Sequence, residues 1–465
     1  MTDPIIESIS EEIESETAAL CANDRVVGAS VGIVRNQELV WNRGFGFADL
    51  ESGRPPDPHT VFRIASVTKT FTATALFQLR DEGKLSLDDP LLTYVPEFAN
   101  AKAKRGSVEG VTLRRLLCHH SGLMAEAPGD EPYWSKMGFP GIEEIIAAIS
   151  RVEVVIEQDS AFKYSNVGFA LLGEVVSRVS GRRYEHYVTE EILRPLGMNS
   201  TVFELDGDLG GRMATGYQAT PYEDSAAVVP DVNLSGYASA GQIYSTVDDL
   251  AKWVSFQFSA GAAERDGKQV LRGQSIKEMQ RPRIMGPNWE SGYGLPWIAR
   301  RVAGRVIVGH PGFTYGFRAD VSFDVERRLG VIALLNTVPD MPSISDAILQ
   351  RVFEAEDLRA APSVLEKPAP TPEGQRDFVG LYVDGLGLTL RAEYRDARLR
   401  IVLVEGKALG FAPGRLQPTG DADVFVAQEG RWIGERVIFR RSDAGAVHAL
   451  DMGPFRFRKM VRAGE

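Results

Sequence analysis

Cysteine and basic charge are both scarce in this 465-residue chain, and each scarcity excludes a class of protein. Its two cysteines, Cys21 and Cys118, are too few for a disulfide framework or a structural zinc site. Lysine and arginine number 52 against 63 aspartate and glutamate residues, so the formal net charge is -11. Because no basic block interrupts this acidic balance, we expect no nucleic-acid partner.

Long apolar runs are missing as well. No segment approaches the roughly 18 consecutive apolar residues of a membrane span, so we expect no membrane partner. Residues 1–25 are acidic and lack the basic and apolar regions of a signal peptide. Together with the low cysteine content, these absences predict a cytoplasmic protein.

The remaining composition is that of a globular protein, with 44% hydrophobic and 25% charged residues, and the length exceeds that of one ordinary core. Strand patterns at residues 26–34 and 38–47 precede a series of helical patterns. Further strand patterns follow at residues 293–298, 317–323 and 329–335. This arrangement predicts an α+β domain whose first and last strands share one sheet.

The end of the chain has a different pattern. Residues 357–376 are proline-rich and predict a linker after a first domain of residues 1–356. Residues 377–465 contain short β-type segments with regularly spaced turns, which predicts a small antiparallel barrel or sandwich. No catalytic cluster is evident there. A structural role, a pocket lid and an assembly surface for a homo-oligomer all stay open.

The stretch Arg63-Ile64-Ala65-Ser66-Val67-Thr68-Lys69-Thr70 opens a long apolar run and carries the strongest chemical signal. If a helix starts near Ser66, then Ser66 and Lys69 lie on one face of it. The helix N-terminus favours negative charge on the serine, and a lysine whose pKa is lowered by burial can take the serine proton. We therefore predict that Ser66 is an activated nucleophile.

Two similar serine patterns are interpreted as coincidences. Ser160 and Lys163 repeat the spacing, but they precede an apolar helix, so Ser160 gains no helix dipole. Ser30 lies in a G-x-S-x-G pattern, which requires a strand, a sharp turn and a helix. Here the apolar pattern continues as a strand.

Three further stretches hold polar residues at positions suited to a pocket. Tyr164-Ser165-Asn166 opens a helix, so pointing into a cleft and N-capping are equally good explanations. His310 and Gly312 lie in a glycine-containing stretch between the last strands, where a substrate can approach the backbone. The adjacent His119 and His120 have no other ligand at metal spacing, so we expect packing or loop hydrogen bonds there.

The order of these stretches resembles that of the serine β-lactamase and penicillin-binding-protein superfamily. The closest likeness is to the class C β-lactamase-related group (peptidase family S12-like), which also holds D-amino-acid peptidases and many esterases. It covers residues 10–355 and rests on Ser66-x-x-Lys69, Tyr164-x-Asn166 and His310-x-Gly312. The resemblance implies a β-lactamase/transpeptidase-like domain, with an antiparallel sheet flanked by helices and an all-helical region. The C-terminal segment resembles the lipocalin-like extension of some peptidases in this group.

The resemblance also implies a mechanism without metal or cofactor. Ser66 would attack an ester or amide carbonyl and form an acyl-enzyme, and Lys69 would help to remove its proton. Tyr164 would be the second proton carrier, with a pKa lowered by two nearby cations. Whether Lys69 or Tyr164 is the base for acylation stays open.

The other motif residues would bind the substrate. By the same resemblance, the amide of Asn166 orients it, and His310 and Gly312 contact it. The backbone N–H groups of Ser66 and Phe313 would form the oxyanion hole.

One residue departs from the β-lactamase pattern. β-Lactamases of this superfamily usually carry lysine where this chain has His310, and a histidine is mostly neutral at pH 7. We therefore expect hydrolysis of esters, small amides or D-amino-acid peptides, with weak or absent antibiotic hydrolysis. Three alternatives stay open: a true β-lactamase or DD-peptidase, an acyltransferase, and a catalytically silent binding protein.

Overall fold

A computed structural model describes most of the chain: residues 3–130, 132–219, 225–258, 264–265, 268–286, 288–339, 341–360, 373–384, 388–395, 398–405, 413–429 and 432–460. The chain divides into two compact units, residues 1–360 and 361–465. Most of the predicted proline-rich linker lies outside the described residues.

The first unit contains an eight-stranded antiparallel sheet, in the order β11-β12-β13-β14-β15-β16-β1-β2. Its strands and those of the small two-stranded pairs are β1 Gly28–Arg35, β2 Glu38–Gly46, β3 Phe62–Arg63, β4 Lys102–Ala103, β5 Glu153–Val154, β6 Gly216–Ala219, β7 Ala226–Val229, β8 Tyr244–Ser245, β9 Glu264–Arg265, β10 Lys268–Gln269, β11 Ile284–Met285, β12 Ser291–Tyr293, β13 Ile298–Val302, β14 Arg305–Thr314, β15 Phe317–Asp324 and β16 Leu329–Leu335. β1 pairs directly with β16, so the predicted sharing of a sheet by first and last strands is confirmed.

Helices cover both faces of this sheet and form a separate helical region. They are α1 Pro4–Ser8, α2 Ser10–Asn23, α3 Thr68–Asp81, α4 Leu113–Leu117, α5 Tyr133–Lys136, α6 Ile142–Ala147, α7 Asn166–Ser180, α8 Tyr184–Val188, α9 Gly207–Arg212, α10 Ala238–Gly241, α11 Val247–Phe258, α12 Gly273–Gln280 and α13 Ile344–Ala360. Short 3₁₀ turns span Ala65–Val67, Leu91–Thr93, Pro96–Asn100, Ile149–Arg151 and Ser235–Tyr237, and a π turn spans Thr189–Leu193.

The alternation of side chains along the buried strands explains why the sheet lies between two layers of helices. In β16, Val331, Ala333 and Leu335 pack into the cluster that contains α13, whereas Ile332 and Leu334 pack into the cluster that contains α3, α7 and α11. Successive side chains of a strand point to opposite faces, so a strand that is apolar at every position is buried on both. The sheet is therefore the middle layer of the unit.

Glycines let α11 lie directly on the sheet. A Cβ at Gly32 would lie 2.4 Å from Cγ1 of Val247, and a Cβ at Gly330 would lie 2.4 Å from Cγ1 of Val254. Ser30, the serine of the G-x-S-x-G pattern, lies inside β1 and donates its hydroxyl to the carbonyl of Asp57 at 2.8 Å. The pattern contains no strand-to-helix turn, as expected.

Two local predictions are wrong. Residues 293–298 are not one strand, because β12 ends at Tyr293 and β13 begins only at Ile298. His310 and Gly312 lie inside β14, a strand the sequence did not predict, instead of between strands. Residues 236–242, which contain many small residues, are mostly helical, since a 3₁₀ turn continues into α10.

The second unit is a closed eight-stranded barrel. Its strands are β17 Gly380–Val383, β18 Thr389–Arg395, β19 Arg398–Glu405, β20 Gly414–Pro418, β21 Val424–Ala427, β22 Arg436–Arg441, β23 Val447–Met452 and β24 Phe455–Lys459, preceded by a 3₁₀ turn at Glu373–Phe378. Each strand pairs with its neighbour in sequence, and β17 pairs with β24 to close the barrel. The barrel rather than the sandwich is therefore the correct alternative.

Candidate active site

A tight turn presents Ser66 at the start of α3. The chain leaves β3, passes through the 3₁₀ turn Ala65–Val67 and enters α3, most of whose residues are buried. Ala65 has φ 45°, a backbone conformation that is strained for a residue with a Cβ. Ser66 remains partly exposed, so its hydroxyl is accessible beside an otherwise buried turn.

Lys69 is completely buried and has three oxygen neighbours. Its Nζ lies 3.1 Å from Oγ of Ser66, 2.8 Å from Oδ1 of Asn166 and 2.7 Å from the carbonyl oxygen of Ala240. Burial lowers the pKa of Lys69 to about 7, against a smaller opposing effect of Glu126. The predicted pairing of serine and lysine, with a lysine pKa lowered by burial, is present.

Tyr164 donates its hydroxyl to Oγ of Ser66 at 2.9 Å. Burial raises the pKa of Tyr164 well above its usual value, and the Glu126 carboxylate adds to this effect. The predicted lowering of the tyrosine pKa is therefore wrong. The lysine ammonium near its ring, 5.0 Å from the centroid, does not outweigh desolvation. Tyr164 is a proton donor in the resting site.

His119, for which the sequence predicted packing or loop hydrogen bonds, contacts the ring of Tyr164 and makes both kinds of contact. Its ring stacks on the Tyr164 ring with 4.1 Å between centroids, and its Nδ1 accepts the N–H of Ser165 at 3.2 Å. Burial lowers the pKa of His119 well below the usual histidine value, so the ring is neutral. A stacked neutral ring fixes the orientation of the phenol without adding a charge.

The start of α7 satisfies both explanations considered for it. Ser165 caps the helix by accepting the N–H of Gly168 at 3.0 Å. Asn166 points into the site, where Oδ1 accepts from Lys69 and Nδ2 donates to Oε1 of Glu126 at 2.6 Å. Two of the hydrogen-bonding positions of the Asn166 amide are thus occupied by protein groups, and this amide holds Lys69 in place.

β14 closes the other side of the site. A Cβ at Gly312 would lie 2.2 Å from the carbonyl oxygen of Ile64, so only glycine lets this strand approach the Ser66 turn so closely. His310 lies on the same face but is buried, and its Nδ1–H donates to the carbonyl of Pro311 at 2.7 Å. Burial lowers the pKa of His310 to about 3, so it is not a cation at neutral pH.

A small aromatic pocket, with a cavity volume of about 30 Å³, adjoins the nucleophile. It is lined by Ala65, Ser66, Trp134, Phe139, Asn166, Leu234, Tyr237, Ala240, Gly241, Phe313 and Thr314. The loop at residues 124–140 supplies Trp134 and Phe139, and it contains the short helix α5. Glu126 of the same loop, the Ala240 carbonyl and Tyr237 were missed, because no spacing pattern marks them.

A larger cleft lies elsewhere in the first unit, along α7 and α8. Its lining includes charged side chains such as Arg178 and Arg182, which pair with Glu97 and Glu191. None of Ser66, Lys69 and Tyr164 lines it. Because chemistry requires the nucleophile, the smaller aromatic pocket is the candidate active site.

Among the residues whose positions are described, no group of three or more histidine, cysteine, aspartate or glutamate side chains is arranged to hold a metal ion. Among the same residues, no helix has both the length and the apolar character needed to cross a membrane.

Comparisons with known sequences agree with this geometry. The family model described as Beta-lactamase matches residues 13–354. Protein flp of Staphylococcus aureus (strain MRSA252) is 29% identical over 313 residues, which cover 67% of this chain and 60% of that protein. Beta-lactamase-like protein 2 of Dictyostelium discoideum is 30% identical over 298 residues, covering 63% of this chain and 53% of that protein. The chain thus spans 53–60% of the length of these curated relatives.

Solved structures show the same fold. A structure described as the octameric penicillin-binding protein homologue from Pyrococcus abyssi has a TM-score of 0.62 and 26% identity, covering 97% of this chain and 100% of that one. A class C beta-lactamase mutant has a TM-score of 0.62 and 21% identity, covering 76% and 100%. The predicted fold class and the resemblance stated from the motifs are confirmed.

Proposed function

Because this chain belongs to the Beta-lactamase family, we propose that it is a serine hydrolase that forms an acyl-enzyme on Ser66. Its substrates are carboxylic esters or small amides, including D-amino-acid peptides. The observation that carries the proposal is the set of three oxygen atoms around the buried Nζ of Lys69.

Those three neighbours suit a neutral lysine. A neutral amine has two hydrogens and one lone pair, and two of the neighbours, the Asn166 and Ala240 carbonyl oxygens, can only accept hydrogen bonds. The two hydrogens go to these oxygens, and the lone pair then faces the Ser66 hydroxyl, which can donate. With a pKa of about 7, a large fraction of Lys69 is neutral at physiological pH. We therefore assign Lys69 as the base for acylation.

Tyr164 complements this base as an acid. When Oγ of Ser66 attacks the carbonyl carbon, its proton passes to Lys69 and the new C–O bond forms. As the tetrahedral intermediate collapses, the Tyr164 hydroxyl protonates the departing alcohol or amine, and the bond to the leaving group breaks. The acyl-enzyme then carries a protonated Lys69 and a Tyr164 phenolate, which attract each other.

Deacylation returns both protons. A water molecule gives a proton to the Tyr164 phenolate as its oxygen attacks the ester carbonyl of the acyl-enzyme. Oγ of Ser66 then leaves and takes the proton from Lys69, which restores the starting protonation states. The same pair of groups therefore serves both halves of the reaction.

Backbone N–H groups of Ser66 and Phe313 form the oxyanion hole in this proposal. Pro311 and Phe313 occupy alternate positions of β14, so their backbone nitrogens face the same strand edge. The pairing of β13 with β14 stops at Gly309, and no strand of the described chain pairs beyond that point on this edge. The N–H of Phe313 is therefore left for an acceptor near the Ser66 turn, and a donor of this kind contributes about 2.7–4 kcal/mol.

The substrate class follows from what the pocket contains. The buried, neutral His310 supplies no positive charge for the carboxylate of a β-lactam. The lining includes the aromatic side chains of Trp134, Phe139 and Tyr237 next to Ser66. These features favour acyl groups with an apolar part over acyl groups that end in a carboxylate.

Paired substrates and a covalent probe test the proposal. We expect turnover of p-nitrophenyl butyrate or of D-alanine p-nitroanilide, and covalent labelling of Ser66 by a serine-reactive phosphonate, located by peptide mass spectrometry. Turnover of the ester alone assigns esterase activity, and turnover of the anilide assigns D-peptidase activity. If the phosphonate labels no residue and neither substrate reacts, the hydrolase proposal is wrong.

The pH dependence should follow Lys69. Only neutral Lys69 can accept the serine proton, so kcat/KM for p-nitrophenyl butyrate should fall tenfold per pH unit below about 7 and reach a plateau above it. The product must be followed at a wavelength where its absorbance does not depend on pH. A profile that stays flat from pH 5 to 8 would contradict the assignment of Lys69 as the base.

A further inference from the structure

A carboxylate without a cationic partner lies beside the nucleophile. Oε1 of Glu126 accepts from Asn166 at 2.6 Å, and Oε2 is buried without a hydrogen-bond partner among the described residues. Within the same residues, no lysine, arginine or histidine forms an ion pair with Glu126. Its charge therefore depends on neighbours that are polar or aromatic, although an ionised carboxylate out of water normally requires a cation.

The surroundings of Glu126 are aromatic. Burial raises the pKa of the Glu126 carboxyl, and hydrogen bonding by Asn166, the charge of Lys69 and the neighbouring Trp134 and Tyr237 oppose this rise. Trp134 and Tyr237 also line the pocket next to Ser66. Burial raises the pKa of Tyr237 and of Tyr315, and the Glu126 carboxylate adds to both shifts. Aromatic ring faces combined with one carboxylate are an environment that favours an organic cation.

Catalysis removes the positive charge nearest to Glu126. Lys69 is the cation that Glu126 interacts with through Asn166, but Lys69 must be neutral to accept the serine proton. When Lys69 is neutral, the negative charge of an ionised Glu126 therefore has no neighbouring cation among the described residues to balance it. A positive charge on the substrate would balance it, and would do so only when substrate is bound.

We propose that Glu126, with Trp134 and Tyr237, forms a subsite for a protonated amine on the acyl part of the substrate. Only two hydrogen-bonded side chains, Asn166 and Lys69, separate this carboxylate from Oγ of Ser66. The amine therefore belongs close to the scissile carbonyl, as in an α-aminoacyl ester or amide. This inference rests on the proposed acyl-enzyme at Ser66 and narrows its substrates to amine-bearing acyl groups.

A matched pair of boronic acids tests the subsite without requiring turnover. In 1-aminoethylboronic acid the ammonium group takes the place of one methyl group of propan-2-ylboronic acid. Each compound reacts with a nucleophilic serine in the same way: the Ser66 hydroxyl adds to boron, an O–B bond forms, and the proton passes to Lys69. Dissociation constants are measured by isothermal titration calorimetry with the full chain, for both enantiomers of the amine, at a pH where the amine is protonated.

We expect the wild-type protein to bind the better enantiomer of the amine about ten- to a hundredfold more tightly than the propan-2-yl compound, as for a charge-assisted hydrogen bond. Glu126→Gln should bring this ratio close to one. Glu143→Gln is the matched control, because Glu143 is an exposed glutamate of the adjacent helix α6, and it should keep the wild-type ratio.

Three results would overturn the subsite, and they separate it from the proposed function. Equal binding of both boronic acids by the wild type rejects the amine subsite but leaves the nucleophile intact. A Glu126→Gln variant that weakens both compounds by the same factor shows that Glu126 only positions Asn166. Failure of both compounds to bind a folded wild-type protein, with circular dichroism as the check, rejects the acyl-enzyme at Ser66 and the subsite together.

Discussion

Replacement of Ser66 by alanine should lower kcat/KM for the reactive substrate by about 10³-fold or more, because no acyl-enzyme can form without the hydroxyl. The fold should survive. Oγ of Ser66 is partly exposed, and its two hydrogen-bond partners, Tyr164 and Lys69, keep their ring contacts or their other acceptors. Steady-state kinetics with p-nitrophenyl butyrate, alongside a thermal unfolding curve, measure both expectations.

The chain supplies its own control for this variant. Ser160 opens the second serine-lysine pattern, but its hydroxyl donates to the carbonyl of Glu157 at 2.6 Å on the surface. Ser160→Ala should therefore retain wild-type kinetics. Full activity in Ser66→Ala, or a comparable loss in Ser160→Ala, would show that the nucleophile has been assigned to the wrong residue.

The predictable part of the site is its local part. Ser66 and Lys69 are three residues apart on one helical segment, so a spacing rule was enough to bring them together. The helix that begins at Asn166 was visible from its apolar residues and from the Ser180-Gly181 end signal. Strands β1 and β16 were visible because each is apolar at nearly every position. In each case, the residues of one short segment were sufficient to predict its structure.

The unpredicted part depends on contacts between distant segments. The Ala240 carbonyl that holds Lys69 lies 171 positions away along the chain, and no side chain type marks a carbonyl acceptor. The stacking of His119 on Tyr164 likewise joins segments that are distant in sequence. The pair of adjacent histidines in the sequence gave no reason to expect this particular contact. These positions follow from tertiary packing, which the spacing of residues does not encode.

Two errors arise because the tertiary environment overrides a local preference. The Tyr164 pKa was expected to fall because cations were assumed nearby, but burial dominates and His310 is neutral. β14 was missed because its His310-Pro311-Gly312 stretch consists of residues with weak strand preference. Pairing with β15 along its length overrides that preference. Environment decides both outcomes, and the environment is known only once the fold is known.

Lys69→Met should decide which group is the base for acylation. Methionine retains much of the buried volume but has no lone pair on nitrogen, so we expect kcat/KM for p-nitrophenyl butyrate to fall about 10²- to 10⁴-fold. The decrease in activity below pH 7 should also disappear, because the titrating amine is gone. Kinetics from pH 5 to 9 on the wild type and the variant measure both effects.

The control for this variant is Lys163→Met, which removes the lysine of the second serine-lysine pattern. Lys163 is only half-buried, and its backbone N–H, which donates to the carbonyl of His119 at 2.8 Å, is kept by the substitution. It should keep both the rate and the pH profile.

If Lys69→Met instead kept its activity within tenfold and still lost activity below pH 7, the base would be another group. Among the described side chains, Tyr164 is the remaining one within hydrogen-bond distance of Oγ of Ser66, and its raised pKa would then have to fall on substrate binding. Both roles of Lys69 predict a loss of rate in the variant. Only a lysine that accepts the serine proton predicts that the decrease in activity below pH 7 also disappears, so this change in the pH profile distinguishes it from a lysine that only positions neighbouring groups.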